Sequence, residues 1–159
     1  MPHLTHPWRA ALWGGLGGAL AILVIQALAQ SVHKPLLIAP FGASCVVLFL
    51  SPASEFARPR NVVGGYLIGS LVGMSLLALL PEVWWAAAVA VGLTIALMRL
   101  THTVHPPAAA HPLVILLAKP TWVFLLMPTL AGLALLVLTA WVYHKGVFWL
   151  VTPREPTSD

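Results

Sequence analysis

Residues 101–112 read Thr-His-Thr-Val-His-Pro-Pro-Ala-Ala-Ala-His-Pro, placing three imidazoles and three prolines between two strongly apolar runs. No continuous helix spans lipid through adjacent prolines, because each removes a backbone donor and its ring collides with an earlier carbonyl. Polar groups at membrane depth are costly and line cavities or ion paths. The stretch therefore reads as a broken membrane helix built around a site.

The surrounding chain leaves little choice of class. Its 159 residues are 60% hydrophobic and 8% charged, with a mean hydropathy of +0.94. That is the composition of a polytopic membrane protein. No Lys/Arg cluster offers a nucleic-acid face. A single cysteine, Cys45, excludes an internal disulfide framework and any multi-cysteine metal site. Arg9, the run from Ala10 to Ala29 and the Ala27-Leu28-Ala29 triplet imitate a secretory signal. The run is long and glycine-rich for such a peptide, and it reads as a span.

A crossing helix needs about 20 apolar residues. Segments 10–31, 61–80 and 121–143 satisfy this, and 83–100 is slightly short but opens on Trp84-Trp85, an interfacial anchor. Between them lie 35–54, interrupted by Pro40, and 100–118, interrupted by Pro106, Pro107 and Pro112. Residues 35–40 extended cover about 18 Å, and a helix from Phe41 to Pro52 adds about 18 Å, exceeding the roughly 30 Å hydrocarbon core. The same arithmetic holds for 101–106 extended and 107–118 helical. Six crossings with an inside N-terminus put Arg9, Arg58, Arg60, Arg99, Lys145 and Arg154 in the cytoplasm, against Lys34 and Lys119 outside. Four crossings, with the broken stretches re-entrant, would leave only three of these eight charges inside. Six crossings fit the charge bias better.

The predicted fold is an all-α polytopic membrane domain of two triplets, about 10–80 and 83–143, each a full span, a proline-broken span and a full span. Residues 144–159 read as a short polar tail. Three crossings per unit make the repeats inverted, an arrangement that puts transporter sites at midplane between broken helices. Gly65, Gly69 and Gly73 on the third segment, and Gly14 with Gly18 on the first, let backbones approach closely. They serve packing within one chain or a homo-oligomer interface.

Both half helices are expected to begin near midplane, Pro40, Phe41, Gly42, Ala43 and Ser44 in one, Pro106, Pro107, Ala108 and Ala109 in the other. Their unpaired N–H groups and helix dipoles suit a small monovalent anion without any formal charge. His105 is a candidate donor to it, and Ser44 its counterpart in the first repeat. Arg99, His102 and His111 are candidates along the pathway. Ser44 has the alternative of bonding its own backbone, His111 of bonding a neighbouring helix, and His102 of lying at the interface. His3, His6, His33 and His144 read as bystanders near termini or loops. Glu55 and Glu82 fall in loops, so no intramembrane carboxylate supports a cation path.

His105-Pro106-Pro107 followed by small residues resembles the HPP family of integral membrane proteins. Ala39-Pro40-Phe41-Gly42-Ala43-Ser44 and Pro59-Arg60-Asn61-Val62-Val63-Gly64-Gly65 are similar to its other recurrent stretches, in the expected order. The resemblance covers roughly 10–143. It implies nitrite as the anion, from members implicated in nitrite transport in chloroplasts and cyanobacteria. Family descriptions give four transmembrane helices, against four full and two broken segments here. For this chain the implied location is a bacterial inner membrane with both termini cytoplasmic. No cofactor and no enzymatic activity are expected. The rival readings are a metal or haem protein ligated by His102, His105 and His111, and a non-transporting membrane assembly partner.

Overall fold

The computed structural model describes residues 7–80 and 83–151, and all their regular structure is helical. His3, His6, Glu82 and Arg154 lie outside the described residues. The helices are α1 (Pro7–Val32), α2 (Pro40–Leu50), α3 (Pro59–Leu79), α4 (Ala86–Leu100), α5 (His111–Ala118) and α6 (Ala131–Val151). Two 3₁₀ segments, Glu55–Ala57 and Pro106–Ala110, precede α3 and α5, and a π-helical turn, Leu125–Leu130, leads into α6. Three stretches are long and apolar enough to cross a membrane: Pro7–Val32, Pro59–Leu79 and Leu125–Gly146. These are three of the four full spans expected; α4, at 15 residues, is shorter than the span expected over 83–100.

Proline sets most of the boundaries. Pro40 and Pro59 occupy the first turns of α2 and α3, where a missing N–H costs nothing. The second broken stretch departs from the expected helix over 107–118. It is 3₁₀ from Pro106 and α-helical only from His111. The Pro112 ring would collide with the carbonyl of Ala108, four residues earlier, and Ala108 instead accepts from the His111 N–H. The continuous span over 121–143 is also corrected. Met127 is extended (φ −136°, ψ 122°) in front of Pro128, as the proline ring requires of its neighbour.

Contacts along the helices give the depth of each piece. A Cβ at Gly14 would meet the Leu50 side chain, and one at Gly18 would lie 3.4 Å from Cys45 Cβ, so α2 runs antiparallel to α1. Leu50 therefore sits near the start of α1. Pro40 lies about 15 Å further in, at 1.5 Å per residue, and residues 33–39 cover the rest. The second broken stretch runs parallel to α3. Thr103 packs at Gly64, His105 at Gly65, His111 at Gly69 and Ile115 at Gly73. Both broken stretches traverse the bundle.

One face thus carries the start of α1, the loop 51–58, the start of α3, the end of α4 and the end of α6. Tyr143 on α6 donates to the Trp13 carbonyl of α1 at 2.6 Å, which pairs the end of α6 with the start of α1. Arg9, Arg58, Arg60, Arg99 and Lys145 share this face, whereas Lys34 and Lys119 lie at the other end.

Two readings of the sequence are revised by this packing. Gly65, Gly69 and Gly73 lie against residues 98–115, and Gly14 with Gly18 lies against α2, so the glycine faces are filled within one chain. A second copy would have to use another surface. His144 is no bystander beside a polar tail. It stands inside α6, with Nε2 2.8 Å from the Leu48 carbonyl of α2. The remainder of the proposed tail, 152–159, lies outside the described residues.

Candidate functional site

Where α2 passes the segment Pro106–Ala118, polar side chains meet in an otherwise apolar interior. Ser44 Oγ lies 2.8 Å from His105 Nε2 and 2.9 Å from the Tyr66 hydroxyl of α3. On its other side His105 Nδ1 is 2.8 Å from the carbonyl of Phe56. A carbonyl only accepts, so Nδ1 carries the proton and Nε2 is a bare acceptor. The hydrogens then run one way: Tyr66 O–H to Ser44 Oγ, Ser44 O–H to His105 Nε2, His105 Nδ1–H to Phe56 O. Ser44, Tyr66 and His105 are completely buried. This small network ties α2, α3, the loop before α3 and the His-Pro-Pro segment together.

A second cluster lies one turn further along. His111 Nε2 is 2.9 Å from Ser70 Oγ on α3 and 3.3 Å from Thr129 Oγ1, in the π-helical turn before α6. The Tyr66 ring separates the clusters, with centroids 5.8 Å from His105 and 5.2 Å from His111. Phe124 also stacks on His111, with ring centroids 5.8 Å apart. His111 does bond neighbouring helices, one of the two roles open to it from sequence.

The expected site residues separate in this geometry. Phe41, Ser44, His105, Pro107, Ala108 and His111 are buried at the junction, with Pro40 buried at the start of α2 and Ala109 half-buried. Gly42 and Ala43 face outward from α2, and Pro106 is exposed. Arg99 and His102 are exposed at the charged face, and His102 adopts a left-handed backbone (φ 54°). His102 therefore stands apart from the other two histidines. Among the described residues no three His, Cys, Asp or Glu side chains converge as metal ligands.

The backbone donors of the two helix starts are already engaged. Phe41 N–H bonds Ile38 O at 3.0 Å, Gly42 N–H bonds Ala39 O at 3.1 Å, and Ala108 N–H bonds His105 O at 2.9 Å. The helix dipoles still favour negative charge at the junction. Direct donors to a ligand there must come from side chains, and His105 has spent its own on Phe56.

Tyr66, Ser70 and Thr129 were not anticipated from sequence. For the first two a signal existed. Each follows one residue after a glycine of the Gly65-Gly69-Gly73 face, so each points toward the helix packed there. Thr129 had none, because its position depends on the break at Pro128.

A family model described as "HPP, transmembrane region" matches residues 3–150. Two Dictyostelium discoideum proteins, each named only as a transmembrane protein, are similar. One is 32% identical over 145 residues, 84% of this chain and 51% of its own length. The other is 31% identical over 166 residues, 90% of this chain and 53% of its own length. The chain thus spans about half the length of these curated relatives. No solved structure matches it.

Proposed function

The chain belongs to the HPP transmembrane-region family, and on that footing we propose that it moves a small monovalent anion, nitrite foremost, across a lipid bilayer. The observation that carries this reading is the charge-free polar layer around Ser44, Tyr66, His105, Ser70 and His111, lying where two proline-broken stretches pass. The starts of α2 and of the Pro106–Ala118 helix bring partial positive charge to that layer. A weak, charge-free site binds an anion without trapping it, as conduction requires. Glu55, the acidic residue among those described, sits in the loop at the charged face, so no carboxylate of the described residues repels an anion within the bundle. Arg99, near His102 at that face, attracts anions to the mouth.

The matching packing of the two halves supports an inverted duplication. α1 packs on α2 and α6 as α4 packs on α5 and α3, and Gly132 of α6 meets Leu36 and Phe41 as Gly65 of α3 meets His105 and Ala108. Flux into proteoliposomes, compared across nitrite, nitrate, formate and chloride, tests the reading. Nitrite uptake well above protein-free liposomes is expected, and equality with them would end the proposal. Those controls are needed at each pH, because a protonated weak acid crosses lipid unaided.

The orientation follows from the charged face. Five described cations lie on it, Arg9, Arg58, Arg60, Arg99 and Lys145, against Lys34 and Lys119 at the other end. On the positive-inside rule we read that face as cytoplasmic, in a membrane we take to be a bacterial inner one. In a Cys45→Ala background, cysteines at 55–58 should label only from the cytoplasmic side and those at 32–35 only from outside. Labelling of 55–58 from outside would reverse the orientation.

A further inference from the structure

We infer that His111, rather than the motif residue His105, holds the transported anion, through its Nδ1–H in the layer it shares with Thr94; this rests on the transport reading above. The inference begins with hydrogens. Ser70 and Thr129 approach Nε2 of His111, and each hydroxyl has one proton to place. A bare Nε2 accepts the Ser70 proton at 2.9 Å, whereas a protonated Nε2 would give neither hydroxyl an acceptor. We accordingly assign the ring proton to Nδ1. That atom is completely buried and has no hydrogen-bond partner among the described residues.

Two other buried polar atoms share that condition, Nδ1 of His144 and Oγ1 of Thr94. His144 differs in kind. Its Nε2 faces the Leu48 carbonyl and must carry the proton, so its Nδ1 is an unused acceptor, which protein interiors tolerate better than an unused donor. Thr94 belongs with His111. On α4 it stands one turn from Met98, whose sulfur lies 3.1 Å from a Cβ placed at Gly65. α4 runs antiparallel to α3, so Thr94 is level with Gly69, where the Cβ of His111 packs at 3.2 Å. Two unsatisfied polar groups, one of them an N–H donor, thus occupy the same layer.

What this layer accepts follows from its chemistry. An N–H and a hydroxyl ask for an acceptor. The described Lys and Arg side chains lie toward the two ends of the bundle, so nothing here neutralises more than one negative charge. The fit is a small monovalent anion. His105 cannot play this part while Phe56 takes its only proton.

The test uses the whole protein labelled with ¹⁵N-histidine in lipid nanodiscs and titrated with sodium nitrite, with sodium sulfate as the ionic-strength control. The resonance lost in His111→Gln identifies His111. Its Nδ1–H signal should shift saturably with nitrite and not with sulfate, while the His105 signal stays in place. A His111 signal unmoved by nitrite, the mark of a buried water only, would overturn the inference. Flux supplies the second arm. His111→Gln keeps an amide near Ser70 and Thr129 but withdraws the Nδ1 donor, and should lower nitrite flux per folded molecule about tenfold or more. His111→Asn, whose amide N–H reaches the Nδ1 position, should restore part of it. Full flux in the Gln variant refutes the role of His111 alone, leaving transport intact. A saturable shift without flux in the wild type supports the binding position and refutes transport.

Discussion

Replacing Gly132 by alanine is expected to cost the protein its stable fold. A Cβ there would run into the Leu36 carbonyl and the edge of the Phe41 ring, and both residues are completely buried. A carbonyl of the main chain has no rotamer to escape into, so the start of α2 or the start of α6 must move. Overpacking of this kind costs about 1–3 kcal/mol and more where backbone shifts. The gain in helix propensity from Gly to Ala, about 0.5–1 kcal/mol, does not offset it. Gly92→Ala is the natural comparison, since nothing lies within 4 Å of its added methyl. Melting followed by size exclusion in detergent should show Gly92→Ala at or above wild type and Gly132→Ala far below, with little monodisperse material. Equal melts would mean that α6 does not close on residues 36–41 as described.

The second large effect is expected at the Ser44–His105 pair. Sequence reasoning made His105 a candidate donor to the anion. The geometry gives it a structural part, because His105→Ala leaves the carbonyl of half-buried Phe56 and the hydroxyl of fully buried Ser44 without their imidazole partner. Lost bonds and the vacated imidazole volume together are worth about 2–4 kcal/mol. Ser44→Ala leaves the Phe56 bond in place and should cost about half as much. Since one hydrogen bond is removed by either change, the double variant should be more stable than the sum of the two predicts. Couplings of this type in membrane bundles run from about 0.6 to 1.7 kcal/mol. Strict additivity in thermal or denaturant melts would mean that Ser44 and His105 do not bond.

Much of the architecture is legible in the sequence, for identifiable reasons. Pro40 and Pro59 announce helix starts because a proline has few other places in a spanning segment. The glycines at 65, 69 and 73 announce a close approach, though only the structure says that residues 105–115, rather than a second subunit, make it. Other features were hidden. Pro128 sits alone in a long apolar run that satisfies every length criterion, so the break before it passes unseen. Tyr66 and Ser70 look like ordinary members of a packed helix until their partners on another segment are known. The depletion of donors at the α2 start is invisible too, because it depends on Ala39 already being helical (φ −52°, ψ −41°). Proximity of Ser44 to His105 could be guessed from the repeat. The direction in which their hydrogens point could not.

The seating of α2 between α1 and the late part of the chain bears on how the protein reaches the membrane. With 11 residues α2 is too short to partition into lipid alone, and the ring and hydroxyl that hold its inner end belong to His105 and Tyr66. Gly132, which closes over Phe41, follows later still. During synthesis α1 and α3 can insert as they emerge, but the piece between them has no permanent place until α6 has left the ribosome. The first half of the chain is therefore finished by the second, and a chain released early would hold a half-extended segment, with unpaired backbone groups, in the bilayer and nothing to receive it. Quality-control proteases that sense such a segment would distinguish a truncated product from a complete one by α2 alone.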